Sequence, residues 1–269
     1  MSQRIKECFA QLAKTKKTAL IPYITAGDPQ PDITVNAMHQ LVKGGADIIE
    51  LGVPFSDPMA DGPVIQQATE RALEYNTSTL DVLNMVVEFR TTNTITPIIL
   101  MGYLNPVEVM GYSLFAKKCQ EAGVDGILLV DLPPEESADF VPAMQQQGID
   151  IIYLIAPTST EARIKKIIQN ASGYLYYVSL KGVTGAGHLD LKAVEQKLNQ
   201  IRPLTDLPLG VGFGIKDPET AVAMAKIADG VVVGSVLVNE FKKHCDEPEK
   251  IAPIIQDILY QMRLAIDQC

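Results

Sequence analysis

The stretch Asp47-Ile-Ile-Glu-Leu-Gly-Val53 shows the pattern on which the fold prediction rests. It is a short, nearly continuous apolar run that ends in a loop rich in proline and glycine. Strands of a parallel sheet that is covered on both faces have this composition, because both of their faces are buried. Seven similar runs follow the same pattern, at residues 19–25, 97–102, 126–130, 151–155, 174–179, 207–212 and 230–233.

Amphipathic segments separate these runs and predict helices. Their apolar residues recur at helical spacing, several begin with Asp, Ser or Thr, and several end near Gly. We expect Asp32 to cap the first of them, and Pro134 and Pro218 to lie in first helical turns, where a missing N–H costs nothing. The predicted helices cover residues 32–43, 113–122, 135–147, 160–170, 190–201 and 217–225, with further helical segments at 79–91 and 247–267.

Eight strands that alternate with helices predict an α/β fold, specifically a single (β/α)8 TIM barrel with extra helices. An open doubly wound sheet is the rival, but it would usually have fewer strands at this spacing. The chain has 269 residues, about the length of one such barrel, and no linker or composition shift divides it. We therefore expect one domain over residues 1–269.

The composition excludes several classes of protein. A net charge of −9 and the absence of Trp argue against nucleic-acid binding, which usually needs a basic face or stacking aromatics. No apolar run is long enough to cross a membrane, and the first residues lack the pattern of a signal peptide. The four cysteines are scattered, which indicates free thiols in the cytoplasm. His244 and Cys245 are neighbours without a further ligand cluster, so we predict no metal site.

The barrel rule places the chemistry at the carboxyl ends of the strands and in the loops that follow them. Glu50 lies inside an apolar strand, where alternation puts it on the face of Ile48 and opposite to Ile49. A buried carboxyl group has a raised pKa and can exchange protons near neutral pH. The alternative is a structural Glu50 paired with a Lys or Arg. The sequence does not favour either interpretation over the other.

Asp57 and Asp61 follow in a loop punctuated by prolines and glycines. Such loops often carry function and can close over a ligand. Either residue alone is more simply a turn or cap residue, and Asp61-Gly-Pro63 has the form of a helix entry. Together with Glu50, however, the loop favours chemistry that uses two carboxylates.

Glycine-rich segments follow the last three strands. They are Lys181-Gly-Val-Thr-Gly-Ala-Gly187, Gly210-Val-Gly-Phe-Gly-Ile-Lys216 and Gly234-Ser235, the last of which opens a helix. Glycines let backbone N–H groups approach an anion, and a helix N-terminus adds a favourable dipole. The sequence thus favours a phosphorylated substrate. A Schiff base on Lys181 is the weaker alternative, because that lysine lies outside the apolar strand.

Five motifs, in order along nearly the whole chain, resemble the tryptophan synthase α-subunit family. They are Ile21-Pro-Tyr-Ile-Thr-Ala-Gly-Asp-Pro29, Glu50-Leu-Gly-Val-Pro-Phe-Ser-Asp-Pro-Met-Ala-Asp-Gly-Pro63, Asp131-Leu-Pro-Pro-Glu-Glu136, Gly182-Val-Thr-Gly185 and Gly212-Phe-Gly-Ile215. The resemblance implies retro-aldol cleavage of 1-C-(indol-3-yl)glycerol 3-phosphate to indole and D-glyceraldehyde 3-phosphate, with neither metal nor cofactor.

The resemblance also implies roles for individual residues. Glu50 would shuttle the protons, and Asp61, staying ionised, would hold the indole N–H and stabilise positive charge on the ring nitrogen. Tyr176 would be a further active-site residue, and Thr184 would support Asp61. Tyr23 and Met101 would line the indole pocket. The phosphate would be surrounded by Gly185, Phe213, Gly214, Gly234 and Ser235.

The family further implies a β subunit in an α2β2 complex, with pyridoxal phosphate bound to the β subunit only. Indole would pass to that subunit for L-tryptophan synthesis. Residues 54–58 and 105–112 are candidate partner contacts. Two other functions are weighed against this one: a phosphosugar isomerase, which would not depend on both Glu50 and Asp61, and a non-catalytic allosteric barrel, which would not need the complete site.

Overall fold

A computed structural model describes residues 2–179, 190–212 and 214–268. In these residues there are nine strand segments, where the sequence predicts eight strands that alternate with helices. The strands are β1 Ala19–Thr25, β2 Ile49–Gly52, β3 Ile98–Gly102, β4 Gly126–Leu129, β5 Asp150–Ile151, β6 Tyr153–Ile155, β7 Leu175–Val178, β8 Leu209–Gly212 and β9 Gly230–Val233. The helices are α1 Gln3–Thr15, α2 Ile33–Lys43, α3 Pro63–Glu74, α4 Thr79–Arg90, α5 Leu104–Met110, α6 Tyr112–Ala122, α7 Phe140–Gln146, α8 Glu161–Asn170, α9 Leu191–Ile201, α10 Pro218–Ala225, α11 Ser235–Lys243 and α12 Ile251–Asp267.

All strand pairs are parallel, in the order β5-β4-β3-β2-β1-β9-β8-β7-β6. The two end segments, β5 and β6, are separated only by Ile152. The N–H of Ile152 donates to the carbonyl of Ile127 on β4 over 2.9 Å, so β5 and β6 are two halves of one barrel strand. The sheet therefore closes on itself, which confirms the (β/α)8 TIM barrel with extra helices.

Alternation along the strands divides the core into two layers. Ile48, Ile99 and Tyr174 belong to a cluster inside the barrel, whereas Ile49 and Leu51 belong to a larger cluster between the sheet and the helices. The interior cluster also includes Ile5, Phe9 and Leu12 of α1, so this helix closes the amino end of the barrel. Helix α1 was not predicted, although Ile5, Cys8, Phe9 and Leu12 recur at helical spacing between its charged residues.

Three local predictions were wrong. Asp32 occupies the N-cap position of α2, but its own backbone is helical (φ −68°, ψ −13°), and its side chain makes no cap hydrogen bond. The predicted helix at 135–147 begins only at Phe140, so Pro134 does not lie in a first turn. The Pro134 carbonyl instead accepts hydrogen bonds from the side chains of Ser137 and Asn170. Helix α5 was not predicted.

An ion pair fixes α3, the helix that follows the Asp61 loop. The Arg71 guanidinium donates to both carboxylate oxygens of Asp28, over 2.7 and 2.8 Å. Asp28 is buried in the loop after β1, so the pair joins α3 to that loop. This bidentate geometry specifies the position of α3 against the carboxyl end of the barrel.

Candidate active site

Strand register brings three predicted site residues together at the carboxyl end of the barrel. Tyr23 on β1 is the register partner of Glu50 on β2, and Met101 on β3 is the partner of Gly52 on β2. These residues therefore come from three adjacent strands. Tyr176 on β7 belongs to the same interior face, in a cluster that Met101 packs against.

Glu50 is fully buried (0% exposed) inside the barrel, on the face of Ile48 and opposite to Ile49 as predicted. The Tyr174 hydroxyl donates to its Oε1 over 2.5 Å. Burial raises the pKa of Glu50 to about 7, although the hydrogen bond from Tyr174 acts in the opposite direction. The group is therefore poised between its protonated and ionised forms at neutral pH.

The alternative of a structural Glu50 paired with a cation finds no support in the described residues. Across 2–179, 190–212 and 214–268, no Lys or Arg forms a salt bridge with Glu50. Within the same residues, Glu50 Oε2 is buried without a hydrogen-bond partner. Sequence reasoning missed Tyr174. Its signal was the predicted strand at 174–179, in which Tyr174 and Tyr176 are two residues apart and so share a face; both belong to the interior cluster, with Tyr174 directly before β7.

The raised pKa of Glu50 predicts a specific pH dependence of stability. The pKa of about 7 in the folded chain lies above the unfolded value of 4.5, so folding favours the protonated form. This contribution is present below pH 4.5 and is lost as the pH rises through 7. In Glu50→Gln the contribution is absent at every pH. In urea unfolding, the free energy of unfolding of Glu50→Gln minus that of wild type should therefore rise by roughly 3 kcal/mol between pH 4.5 and 8.

Exposed Glu74 offers the matched control, because Glu74→Gln removes a carboxyl group from the surface. Its stability relative to wild type should stay flat over the same range. A flat difference for Glu50→Gln as well would contradict the raised pKa.

Asp61 is held by Tyr103, a residue that the sequence analysis missed. The Tyr103 hydroxyl donates to Asp61 Oδ2 over 2.9 Å and accepts from the Ala60 N–H over 2.9 Å. The Tyr103 ring stacks on Phe55, with centroids 5.2 Å apart. Tyr103 follows β3 directly, and this position at a strand end was the available signal. It anchors both ends of the loop that carries Asp61.

The reading of Asp61 as a helix cap is wrong. The N-cap of α3 is Gly62, and the Asp61 carboxylate bonds to Tyr103 instead. Burial raises the pKa of Asp61, whereas the hydrogen bond from Tyr103 lowers it. Asp57 is exposed and accepts a hydrogen bond from its neighbour Ser56 over 2.6 Å, consistent with a turn residue.

A cavity at this end of the barrel joins the predicted and the missed residues. Tyr23, Asp61 and Met101 line it, as do Tyr103 and Phe55. Its other walls are formed by Val53, Pro58, Thr69, Gly102 and Val130. Mostly apolar side chains therefore surround the Asp61 carboxylate, together with the hydroxyl groups of Tyr23, Thr69 and Tyr103.

Two glycines make room for tyrosine hydroxyls in the site. A Cβ atom on Gly52 would lie 2.1 Å from the hydroxyl oxygen of Tyr23, and one on Gly212 would lie 1.8 Å from that of Tyr176. Real Cβ atoms do not approach so closely. Glycine at these two positions is thus dictated by the neighbouring phenol rings.

Gly52→Ala should destabilise the chain by about 1–3 kcal/mol, because the methyl group overlaps the Tyr23 hydroxyl. The double variant Gly52→Ala with Tyr23→Phe should recover part of that loss, since the oxygen is gone. Urea denaturation of both variants and of Tyr23→Phe alone measures the coupling. Additive losses would show that the hydroxyl is not the obstacle.

The predicted phosphate residues lie partly within the described chain. Gly234 is the N-cap of α11 and Ser235 is its first residue, where helical N–H groups lack intrahelical acceptors. Gly214 has a φ of +78°, a conformation that favours glycine. A Cβ atom on Gly234 would be 3.8 Å from the Cβ of Tyr23, so this cradle adjoins the cavity wall. Thr184, Gly185, Phe213 and Lys181 lie outside the described residues.

Comparison with known proteins decides the family. The family model described as tryptophan synthase alpha chain matches residues 9–265. The chain belongs to the tryptophan synthase alpha chain family. It is 58% identical to the tryptophan synthase alpha chain of Thioalkalivibrio sulfidiphilus over 264 residues, which cover 98% of this chain and 99% of the relative. It is 56% identical to that of Methylococcus capsulatus, with 98% and 99% covered.

Solved structures similar to this chain belong to the same family. The crystal structure of tryptophan synthase subunit alpha from Legionella pneumophila is 49% identical, covers 100% of both chains and has a TM-score of 0.93. A chain of the tryptophan synthase complex from Pyrococcus furiosus is 35% identical, with a TM-score of 0.83 over 91% of this chain and 98% of that one.

The known role of the tryptophan synthase alpha chain family is the cleavage of indoleglycerol phosphate, so the chain is a carbon–carbon lyase of tryptophan biosynthesis. Within the described ranges, no group of three or more His, Cys, Asp or Glu side chains could hold a metal ion. No described helix is long and apolar enough to cross a membrane.

Proposed function

We propose that Glu50 carries the protons of the cleavage reaction and that Asp61 holds the indole ring. The observation that carries the proposal is Glu50 itself: a fully buried carboxyl group with a pKa of about 7 and one oxygen, Oε2, without a hydrogen-bond partner in the described chain. Tyr23, its register partner, lines the cavity that Asp61 also lines. This pairing supports two-carboxylate chemistry.

The proposed reaction moves two protons and breaks one bond. Protonated Glu50 gives a proton to the indole C3, and positive charge develops on the ring nitrogen. Ionised Glu50 then takes the proton of the hydroxyl on the adjacent carbon, the carbon–carbon bond breaks, and its electron pair returns to the ring. Indole and glyceraldehyde 3-phosphate result, and Glu50 ends protonated as it began. A pKa near 7 suits both directions of proton transfer.

Asp61 would accept the indole N–H and stabilise the positive charge on the ring nitrogen. Tyr103 holds the Asp61 carboxylate at 2.9 Å and so fixes its position before substrate arrives. The phosphate would rest on backbone N–H groups of Gly214, Gly234 and Ser235, with Gly185 and Phe213 completing the cradle. Tyr176 and Met101 would pack around the substrate, and Thr184 would support Asp61.

We further propose that the chain works with a tryptophan synthase beta subunit in an α2β2 complex, with pyridoxal phosphate held by the beta subunit alone. The Pyrococcus furiosus neighbour comes from a structure of a tryptophan synthase complex. Met59 and Val109 are 80% and 84% exposed, and they lie beside the predicted contact segment 54–58 and within 105–112. Exposed large apolar side chains in and beside these two segments support a partner surface.

We also propose a cytoplasmic location and a single domain over residues 1–269. The thiols of Cys8, Cys119 and Cys245 are free, which supports a reducing compartment. Contacts between α12, near the end of the chain, and α2, near its beginning, support one domain.

Indole release from indoleglycerol phosphate tests the proposal directly. The purified chain should form indole, with and without a beta subunit. Glu50→Gln and Asp61→Asn should each lower kcat by about 100-fold or more, because each removes a group needed in the transition state. Binding of glycerol 3-phosphate should survive in both, since the phosphate cradle is untouched.

Glu74→Gln is the matched surface control and should keep full activity. Full activity in Glu50→Gln would show that its proposed role is wrong. If wild type formed no indole either with or without a beta subunit, the lyase activity itself would be contradicted.

A further inference from the structure

Tyr23 spans the two ends of the proposed substrate site. Its Cβ lies beside Gly234, in the proposed phosphate cradle. Its hydroxyl lies over Gly52, the register partner of Met101 in the proposed indole pocket. The hydroxyl therefore belongs to the indole end of the site and not to the phosphate end.

The Tyr23 hydroxyl has hydrogen-bonding capacity to spare. It lies 3.3 Å from Thr25 Oγ1, and either oxygen can be the donor. Two hydroxyls carry two protons, and the bond between them uses only one. In residues 2–179, 190–212 and 214–268, neither Tyr23 nor Thr25 donates a side-chain hydrogen bond to any other acceptor. One buried O–H donor of this pair is therefore unused in the described chain. When Thr25 donates to Tyr23, the direction in which this bond lowers the pKa of Tyr23, the unused donor is the Tyr23 O–H, and Tyr23 lines the cavity.

This donor stays a donor over the whole working range of pH. Burial raises the pKa of Tyr23 well above its usual range, and the negative charges of Asp61 and Glu50 act in the same direction. The phenol is thus neutral, with its proton in place.

Unsubstituted indole does not use this donor. Its single polar group, the N–H, is itself a donor and is assigned to Asp61 in the proposed function. Its six-membered ring offers only C–H groups at the edge. A ring that carries an acceptor atom at the right edge would satisfy the buried hydroxyl and bind better than its carbon analogue.

We propose that Tyr23 determines specificity by favouring substrates whose six-membered ring carries a hydrogen-bond acceptor. The inference rests on the proposed function, because that function places the indole ring against this wall. The matched ligands are the azaindoles, in which one ring C–H is replaced by an acceptor nitrogen at almost unchanged size.

Binding of indole and of the four azaindoles with nitrogen in the six-membered ring tests the proposal. Calorimetry in the presence of glycerol 3-phosphate gives the Kd of each ligand for wild type and for Tyr23→Phe. At least one azaindole should bind Tyr23→Phe about fivefold or more weakly than wild type, because a hydrogen bond is lost. The Kd of indole for each protein is the reference, because indole has no acceptor for the Tyr23 hydroxyl and records every other effect of the substitution.

Tyr177→Phe is the matched control. Tyr177 is equally buried on the same strand as Tyr176, but it belongs to the cluster between sheet and helices. This variant should leave every Kd unchanged.

The proposal is overturned if Tyr23→Phe changes the Kd of all four azaindoles by the same factor as that of indole. Failure of the proposed function gives a different result: wild type would then not condense indole with glyceraldehyde 3-phosphate.

Discussion

The structure depends on one costly feature, a carboxyl group sealed inside an apolar barrel. Glu50 is fully buried, and within the described residues its one hydrogen bond comes from the neutral hydroxyl of Tyr174. A cation in that place would keep the group ionised. A phenol donor leaves desolvation dominant, so the pKa of Glu50 rises to about 7. The same burial lowers the stability of the folded chain at alkaline pH and keeps a fraction of Glu50 protonated at neutral pH.

Phenol groups arrange the rest of the site around this carboxyl group. Tyr103 binds Asp61 and the neighbouring Ala60 N–H, which ties the loop after β2 to the end of β3. The hydroxyls of Tyr23 and Tyr176 lie over Gly52 and Gly212, where any larger side chain would overlap them. Neutral donors suit this barrel because they hold both carboxylates without placing a full positive charge beside either of them.

The fold was largely predictable, because continuous apolar runs and helix caps are local signals. The candidate positions of Glu50 and Asp61 followed from the same pattern, since parallel strands bring their carboxyl ends together, whereas Tyr23 and Met101 were expected only from the family resemblance. Alternation and a strand-end position were signals for Tyr174 and Tyr103, but their importance lies in the hydrogen bonds that they donate to Glu50 and Asp61. A single sequence does not show which side chains of different elements meet. Helix α1 was missed although its apolar residues recur at helical spacing; what the sequence does not give is the surface that they cover, the amino end of the barrel.

The most direct test is the titration of Glu50 in the folded chain. In protein labelled with ¹³C at the glutamate carboxyl carbon, the Glu50 resonance is the one missing from the spectrum of Glu50→Gln. Its chemical shift should titrate with a midpoint of about 7. A midpoint near the ordinary value of 4.5 would mean that Glu50 is ionised at neutral pH and has no proton to give to the indole ring.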